Sequence, residues 1–256
     1  MVGAVDVVVE VMGGIEPARG LLEEAMAGGA QVVTANKQLL ARHGDDLHAL
    51  AAKHGVGLDH EAAVRAAVPV LSVVREALAG DEITALRGVV NGSTNYVLDL
   101  VATQGVPFEA AVRQAGELGY LEADPSEDLD GLDAAAKIVL LARAAWGGTV
   151  RLEDVDITGI GGLTDEDFAR AARSGTVVKL VASARREAGG RASLSVRPEA
   201  LPADDPLARV RGGTNVLVLT AESAGELRLE GPGAGGDATA SAVLADLLRA
   251  AGRVRR

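Results

Sequence analysis

The chain has 256 residues, 48% of them hydrophobic, and a formal net charge of -11. It can therefore bury a large core, in one large domain or two smaller ones, and it offers no electrostatic footprint for nucleic acid or an anionic membrane. It has no cysteine, which excludes disulfides, thiolate zinc sites and cysteine nucleophiles. No leader-like start and no apolar run of membrane-spanning length occurs, so a soluble, cytoplasmic protein is expected.

In chain order, Val5 to Val11 is a β-branched run that ends at Gly13-Gly14. Glu16-Pro17 then opens a helical pattern through Ala27, closed by Gly28-Gly29. Gln31 to Thr34 reads as a second strand, Ala35-Asn36-Lys37 as a turn, and Gln38 to His54 as a helix stopped by Gly55. Strands alternating with helices predict βαβ units in a parallel sheet. The histidines (His43, His48, His54 and His60) lack His-x-x-x-His spacing and read as surface or helix-end residues.

Beyond Gly57 to Ala63 the pattern changes. Pro69 to Leu78 reads as a helix, Ile83 to Val90 as a strand, and Asn91 to Asn95 as a polar turn feeding a helix. Phe108 to Leu118 is an amphipathic helix, and Ala134 to Ala145 a mostly buried one. Thr176 to Ala184, Ala192 to Val196, Val216 to Ala221 and Glu226 to Glu230 are spaced like the strands of an antiparallel or mixed sheet. The glycine-rich loop Gly231 to Gly236 precedes a last helix, Thr239 to Ala251. The fold class is thus α/β: a partial Rossmann-type parallel sheet over residues 1–60, an α+β domain over 61–230, and a glycine loop and helix over 231–256 that return to the first domain.

The most informative stretch is Gly119-Tyr120-Leu121-Glu122-Ala123-Asp124-Pro125, leading through Asp128 to Asp133 and Lys137. Asp133 and Lys137 are four apart and share a helix face. A plain salt bridge is one reading. The other is a partly buried ammonium that donates a proton, which a guanidinium cannot do near neutral pH. The scarcity of lysine, with only Lys37, Lys53 and Lys179 besides, gives the second reading weight. Gly231 to Gly236 is either an ordinary tight turn or a loop whose amides approach a pyrophosphate or nicotinamide. Gly13-Gly14 and Lys37 follow strands, where parallel sheets bind ligands. No Gly-x-Gly-x-x-Gly follows a first strand.

Taken together, Val5 to Gly14, Val32-Val33-Thr34-Ala35-Asn36-Lys37, Asn91-Gly92-Ser93-Thr94-Asn95-Tyr96, Gly119 to Lys137, and Gly231 to Gly236 with Thr239-Ala240 resemble the homoserine dehydrogenases. The resemblance implies NADPH- or NADH-dependent reduction of L-aspartate 4-semialdehyde to L-homoserine, on the route to threonine, isoleucine and methionine. By the same resemblance Lys137 donates the proton, and Lys37 is a second ammonium beside substrate and cofactor. Glu122, Asp133, Tyr120, Asp128, Gly92 and Ser93 would hold the substrate. Gly13, Gly14, Gly233, Ala234 and Gly235 would lie along the NADP or NAD. The resemblance also implies a homodimer, and a loop whose carbonyls at Glu61, Val64, Ala66 and Val68 hold a sodium or potassium ion.

Two departures from the family pattern stand out. The chain opens near the point where the family's pyrophosphate-binding half ends, which predicts weakened cofactor affinity, an exposed sheet edge, or a start assigned too late. In the loop Glu61 to Pro69, Arg65 stands where a glycine is expected, and Ala67 carries a Cβ where backbone freedom is needed. Arg65 either disturbs the cation site or replaces the metal's charge. Two functional readings stay open: an active dehydrogenase, and a catalytically impaired paralogue that serves as a binding or dimerisation partner.

Overall fold

The computed structural model describes residues 5–66, 68–148 and 150–254, without the side chain of Arg65. Strands β1 (Val7–Glu10), β2 (Gln31–Thr34) and β3 (Leu58–Asp59) form a parallel sheet in that spatial order. Val8 lies opposite Val32, and Val33 opposite Asp59. The crossovers are α1 (Ala18–Ala27) and α2 (Lys37–His54), whose apolar stripes bury Leu22, Met26, Leu39, Leu40 and Leu47 completely. Gly55 ends α2 in the left-handed region (φ 66°), which glycine enters without a Cβ clash.

The third strand was not foreseen, because two residues carry no periodicity. Next come α3 (Glu61–Arg65) and α4 (Val70–Ser72). The helix expected from Pro69 to Leu78 is instead one α turn followed by a π-helical turn, Val73–Ala77. The amide of Leu78 reaches back five residues to the carbonyl of Val73, which widens the turn.

A second sheet has the order β5-β7-β6-β4-β8-β9, with β4 (Ile83–Val89), β5 (Val155–Ile157), β6 (Thr176–Arg186), β7 (Ala192–Pro202), β8 (Thr214–Ala221) and β9 (Gly225–Pro232). Only β5 and β7 pair in parallel, so the sheet is mixed, as the strand spacing predicted. Gly231 and Pro232, read from the sequence as loop, finish β9 by pairing with Asn215 and Thr214. The helices of this half are α5 (Gly92–Gln104), α6 (Phe108–Glu117), α7 (Ser126–Leu129), α8 (Leu132–Trp146) and α9 (Asp165–Arg173). Helix α8 is buried without a break from Asp133 to Ala142 and packs on β4, β5, β6 and β7. A helix this rich in alanine, valine and leucine has little polar face to offer water, so it packs into the core.

Helix α10 (Gly236–Val254) runs back to the first sheet and packs on β1, β2, β3 and α3. Asp246 accepts a hydrogen bond from the amide of Glu61 at 2.7 Å. Arg253 binds Gln31 at 2.8 Å and pairs with Asp59. Burial pushes the Asp246 carboxyl up to about 6 against the pull of that amide.

Lys179 of β6 is fully buried, donating to Asn95 Oδ1 (2.8 Å) and the Val210 carbonyl (2.6 Å). Burial lowers its ammonium to about 8; Asp99 opposes the shift and Arg211 adds to it. The unfolded chain therefore holds this proton to higher pH than the folded one, and stability rises as pH climbs from about 8 towards the unfolded value. The unfolding free energy of the wild type, from denaturant titrations, should rise over that window by roughly 3 kcal/mol. Lys179→Met should lack the slope, and parallel pH curves for the two proteins would contradict this.

Candidate active site

The two halves meet around a cavity of about 790 Å³. Each wall follows from a helix start. Helix α2 begins directly after β2, with Asn36 capping it by accepting from the amide of Leu39 (3.1 Å), so Lys37 stands at the carboxyl end of the parallel sheet. The same Asn36 donates to the Gly14 carbonyl at 2.6 Å. Glu10, at the end of β1, accepts from the amides of Met12 and Gly13 and from the Thr34 hydroxyl. The loops after β1 and β2 are thus tied together.

From the other half, α8 presents Asp133 and Lys137 on one face. Asp133 sits between two ammoniums: Lys37 Nζ is 2.6 Å from Oδ1 and Lys137 Nζ 2.8 Å from Oδ2. The salt bridge that the Asp133–Lys137 spacing allows is therefore present, but Asp133 is only 3% exposed and Lys137 9%, which is no surface pair. Lys137 also donates to the Val90 carbonyl at 2.9 Å. An ammonium has three donors, so one remains to face the cavity.

Burial alone would raise the Asp133 carboxyl, but Lys137 and then Lys37 hold it well below the ordinary carboxylate range. Burial likewise works against the Lys37 ammonium, and Asp133 overrides it, so Lys37 is raised. Asn91, the N-cap of α5, joins this cluster to the next. It accepts from the Thr94 amide (2.8 Å) while its Nδ2 donates to Asp128 Oδ1 (2.6 Å) and Asp133 Oδ2 (2.8 Å). Burial raises the Asp128 carboxyl, opposed by that donor.

Of the residues expected from the sequence, Lys37, Gly92, Ser93, Tyr120, Glu122, Asp128, Asp133, Lys137, Gly233, Ala234 and Gly235 all line this cavity, as do Val64 and Ala66. Glu122 is exposed and its carboxylate has no ion-pair partner among the described residues. Tyr120 stacks on Tyr96 with ring centroids 4.0 Å apart. Gly13 and Gly14 do not line it; they take left-handed conformations (φ 74° and 73°) in the loop after β1. His60, read as a surface or helix-end residue, does precede α3, but it is only 3% exposed.

At two positions beside the cavity the packing demands glycine: a Cβ on Gly233 would run into the buried Asn215 side chain, and one on Gly213 would come 2.8 Å from the Tyr120 ring. The residues whose carbonyls are expected to hold a monovalent cation are only partly at this cavity. Glu61 spends its carboxylate on the amides of Leu71 (2.7 Å) and Ser72 (2.9 Å) and the Ser72 hydroxyl (2.7 Å). Glu61 and Val68 do not line the cavity. Ala67 and the side chain of Arg65 lie outside the described residues.

Asn91 and Thr239 were not singled out as site residues. Asn91 carried a signal in its N-cap position before Gly92; Thr239 reaches the cavity only because α10 folds back.

Comparisons with known proteins agree with this architecture. A model of the homoserine dehydrogenase family matches residues 69–248, and one of the homoserine dehydrogenase NAD-binding domain matches residues 1–61. The chain is 42% identical to a homoserine dehydrogenase of Synechocystis over 96% of its own length and 58% of the relative's. For the homoserine dehydrogenase of Bacillus subtilis the figures are 41%, 95% and 56%. The chain thus spans less than two thirds of the length of these relatives. Among solved structures, a homoserine dehydrogenase from Thiobacillus denitrificans superposes with a TM-score of 0.94 at 39% identity, covering 97% of this chain and 57% of the other. A hyperthermophilic archaeal homoserine dehydrogenase in complex with NADPH gives 0.84 at 33% identity, covering 97% and 72%. With this parallel sheet, this mixed sheet and this match along nearly its whole length, the chain belongs to the homoserine dehydrogenase family.

Proposed function

We propose that the protein reduces L-aspartate 4-semialdehyde to L-homoserine with NADPH or NADH, in the cytoplasm, on the way to threonine, isoleucine and methionine. The observation that carries this reading is the Lys37–Asp133–Lys137 cluster, with Asp133 and Lys137 buried, on the same cavity as the Gly233–Gly235 turn. A nicotinamide bound along that turn supplies the hydride. As charge develops on the aldehyde oxygen, the free N–H of Lys137 stabilises it and then yields its proton. Asp133 and the Val90 carbonyl aim that N–H by taking the other two. The unpaired Glu122 carboxylate suits the substrate's ammonium, with Tyr120, Ser93, Gly92 and Asp128 around it. Gly13, Gly14, Lys37, Gly233, Ala234 and Gly235 form the proposed cofactor track.

We assign residues 1–60 to nucleotide binding, 61–230 to catalysis and homodimerisation, and 231–256 to the returning loop and helix. Among the described residues no helix is long and apolar enough to cross a membrane. A sodium or potassium ion near α3 would be left with backbone carbonyls of Glu61, Val64, Ala66 and Val68, and no step is derived through it. The reading as an impaired paralogue is not favoured, since the relatives reported share one enzyme name.

The test is an assay of NADPH oxidation on adding L-aspartate 4-semialdehyde, alongside direct titration with NADPH. Substrate-dependent oxidation is expected. Failure to bind NADPH at millimolar concentration would sink the reading for this chain.

A further inference from the structure

A second cavity, of about 260 Å³, opens further along the same two helices, walled by Leu40, Gly44 and His48 of α2 and Leu140 and Arg143 of α8, with Arg75 and His60 at its side. Its polar groups are arranged unusually. His48 Nε2 and Arg75 Nη2 each lie 3.2 Å from His60 Nε2. A guanidinium can only donate, so His60 Nε2 accepts and the ring proton is assigned to Nδ1, a buried atom with no hydrogen-bond partner.

Two imidazole nitrogens this close also suit a metal ion. Two facts speak against one: a guanidinium occupies the same nitrogen, and no metal-holding group of three His, Cys, Asp or Glu occurs among the described residues.

The cationic side is better provided. Arg143 is fixed by donating from Nε to the Val150 carbonyl and from Nη1 to the Leu40 carbonyl, both at 2.8 Å. Gly44 in the middle of α2 makes room for it, since a Cβ there would stand 3.1 Å from Arg143 Nη1. A mid-helix glycine costs about 1 kcal/mol relative to alanine, so the space it leaves answers a packing demand. Arg75 has no carboxylate within 4.0 Å among the described residues. Of the nearby carboxylates, Asp59 is engaged by Arg253, Glu61 caps α4, and Asp246 binds Arg249 at 2.6 Å. Asp45 also lines the cavity, but approaches Arg143 only loosely, at 3.6 Å, and is half exposed, so water screens its charge.

We infer that this cavity binds a small oxyanion, held by the free edges of the Arg75 and Arg143 guanidiniums. Guanidinium forks match the oxygens of phosphate and carboxylate groups. An ion seated there bridges α2 to α8, the helices that carry Lys37 and Lys137. The inference stands on this cavity alone and does not depend on the proposed reaction.

Trp146, the sole tryptophan, precedes the cavity residue Gly147 and donates to the Ile83 carbonyl at 2.6 Å, so its fluorescence is a local reporter. The full chain is titrated with inorganic phosphate at ionic strength held constant with chloride, and separately with acetate. A saturable change is expected in the millimolar range. Saturation by phosphate alone points to a phosphoryl group, and saturation by acetate to a carboxylate. Arg75→Gln, an exposed position whose substitution leaves the core intact, should raise half-saturation by about tenfold or more, as loss of a charge-assisted contact does. It should also abolish the phosphate-induced rise in Tm. A linear change matched by chloride, or saturation at the same concentration in the variant, would overturn the assignment; the latter would place the ion elsewhere, for example where nucleotide phosphates bind.

Discussion

Lys137→Ala is expected to slow aldehyde reduction by about a thousandfold, within the range that a positioned general acid contributes. The fold should survive, because Asp133 keeps Lys37 and Asn91 as partners. Lys137→Arg should not restore the rate. A guanidinium keeps its proton near neutral pH, and its planar fork does not reproduce the bonds of Nζ to Asp133 and Val90. The measurement is kcat under saturating NADPH, with a thermal melt to show that each variant is folded. Unchanged turnover in the alanine variant would remove Lys137 from the chemistry.

The second large effect belongs to the carboxylate. Asp133→Asn leaves two neighbouring ammoniums without their shared counter-charge, and should destabilise the protein by about 3 kcal/mol at neutral pH, as removal of one partner from a buried ion pair does. The sign with pH follows from the direction of the shift. Lys137 and Lys37 overcome burial and hold the folded Asp133 carboxyl well below its ordinary value, so the unfolded chain takes up the proton first as pH falls. The contribution is complete above about pH 4, the ordinary carboxylate value, and is lost as acid titrates the folded form. Urea midpoints should drop more steeply for the wild type than for Asp133→Asn below that pH. If the two curves run in parallel, Asp133 is not the group that couples the lysines to stability.

Much of this arrangement was legible in the residues. The first strands and helices could be read because their apolar spacing is clean and glycine ends them: Gly55 caps α2 in the left-handed region. The buried helix could be read from its run of alanine, valine and leucine, which begins within three residues of the observed start of α8 at Leu132. Short pieces could not. Strands β3 and β5, with two and three residues, are defined by their partners across the sheet and not by their own pattern. Helix α9 did carry a signal, the Thr164–Asp167 capping box, and went unread because its moment lies on a mostly polar surface.

The site divides in the same way. Asp133 and Lys137 announced themselves by spacing, since both lie on one helix. That Lys37 shares the same carboxylate is a contact across 96 residues of chain, from position 37 to position 133, and no local pattern encodes it. Lys179 gave no sign that it would be fully buried, because a lysine between valine and leucine in a strand reads as the solvent-facing member of an alternation. The β9 ending at Pro232 was mistaken for loop because glycine and proline there satisfy strand geometry only through pairing with β8.

The return of α10 to the first sheet has a consequence for how the molecule comes into being. Arg253 meets Gln31 and Asp59, and Asp246 meets Glu61, across sequence separations of 222, 194 and 185 residues. A ribosome emits the three parallel strands first, yet their covering helix emerges almost two hundred residues later. Until then the nascent sheet stands with one flank bare, its closure waiting on the slowest kind of contact a chain can make. The mixed sheet also waits on distant partners, since Leu86 of β4 pairs with Ala184 and with Leu219, 98 and 133 residues further on, so both sheets are completed by late contacts.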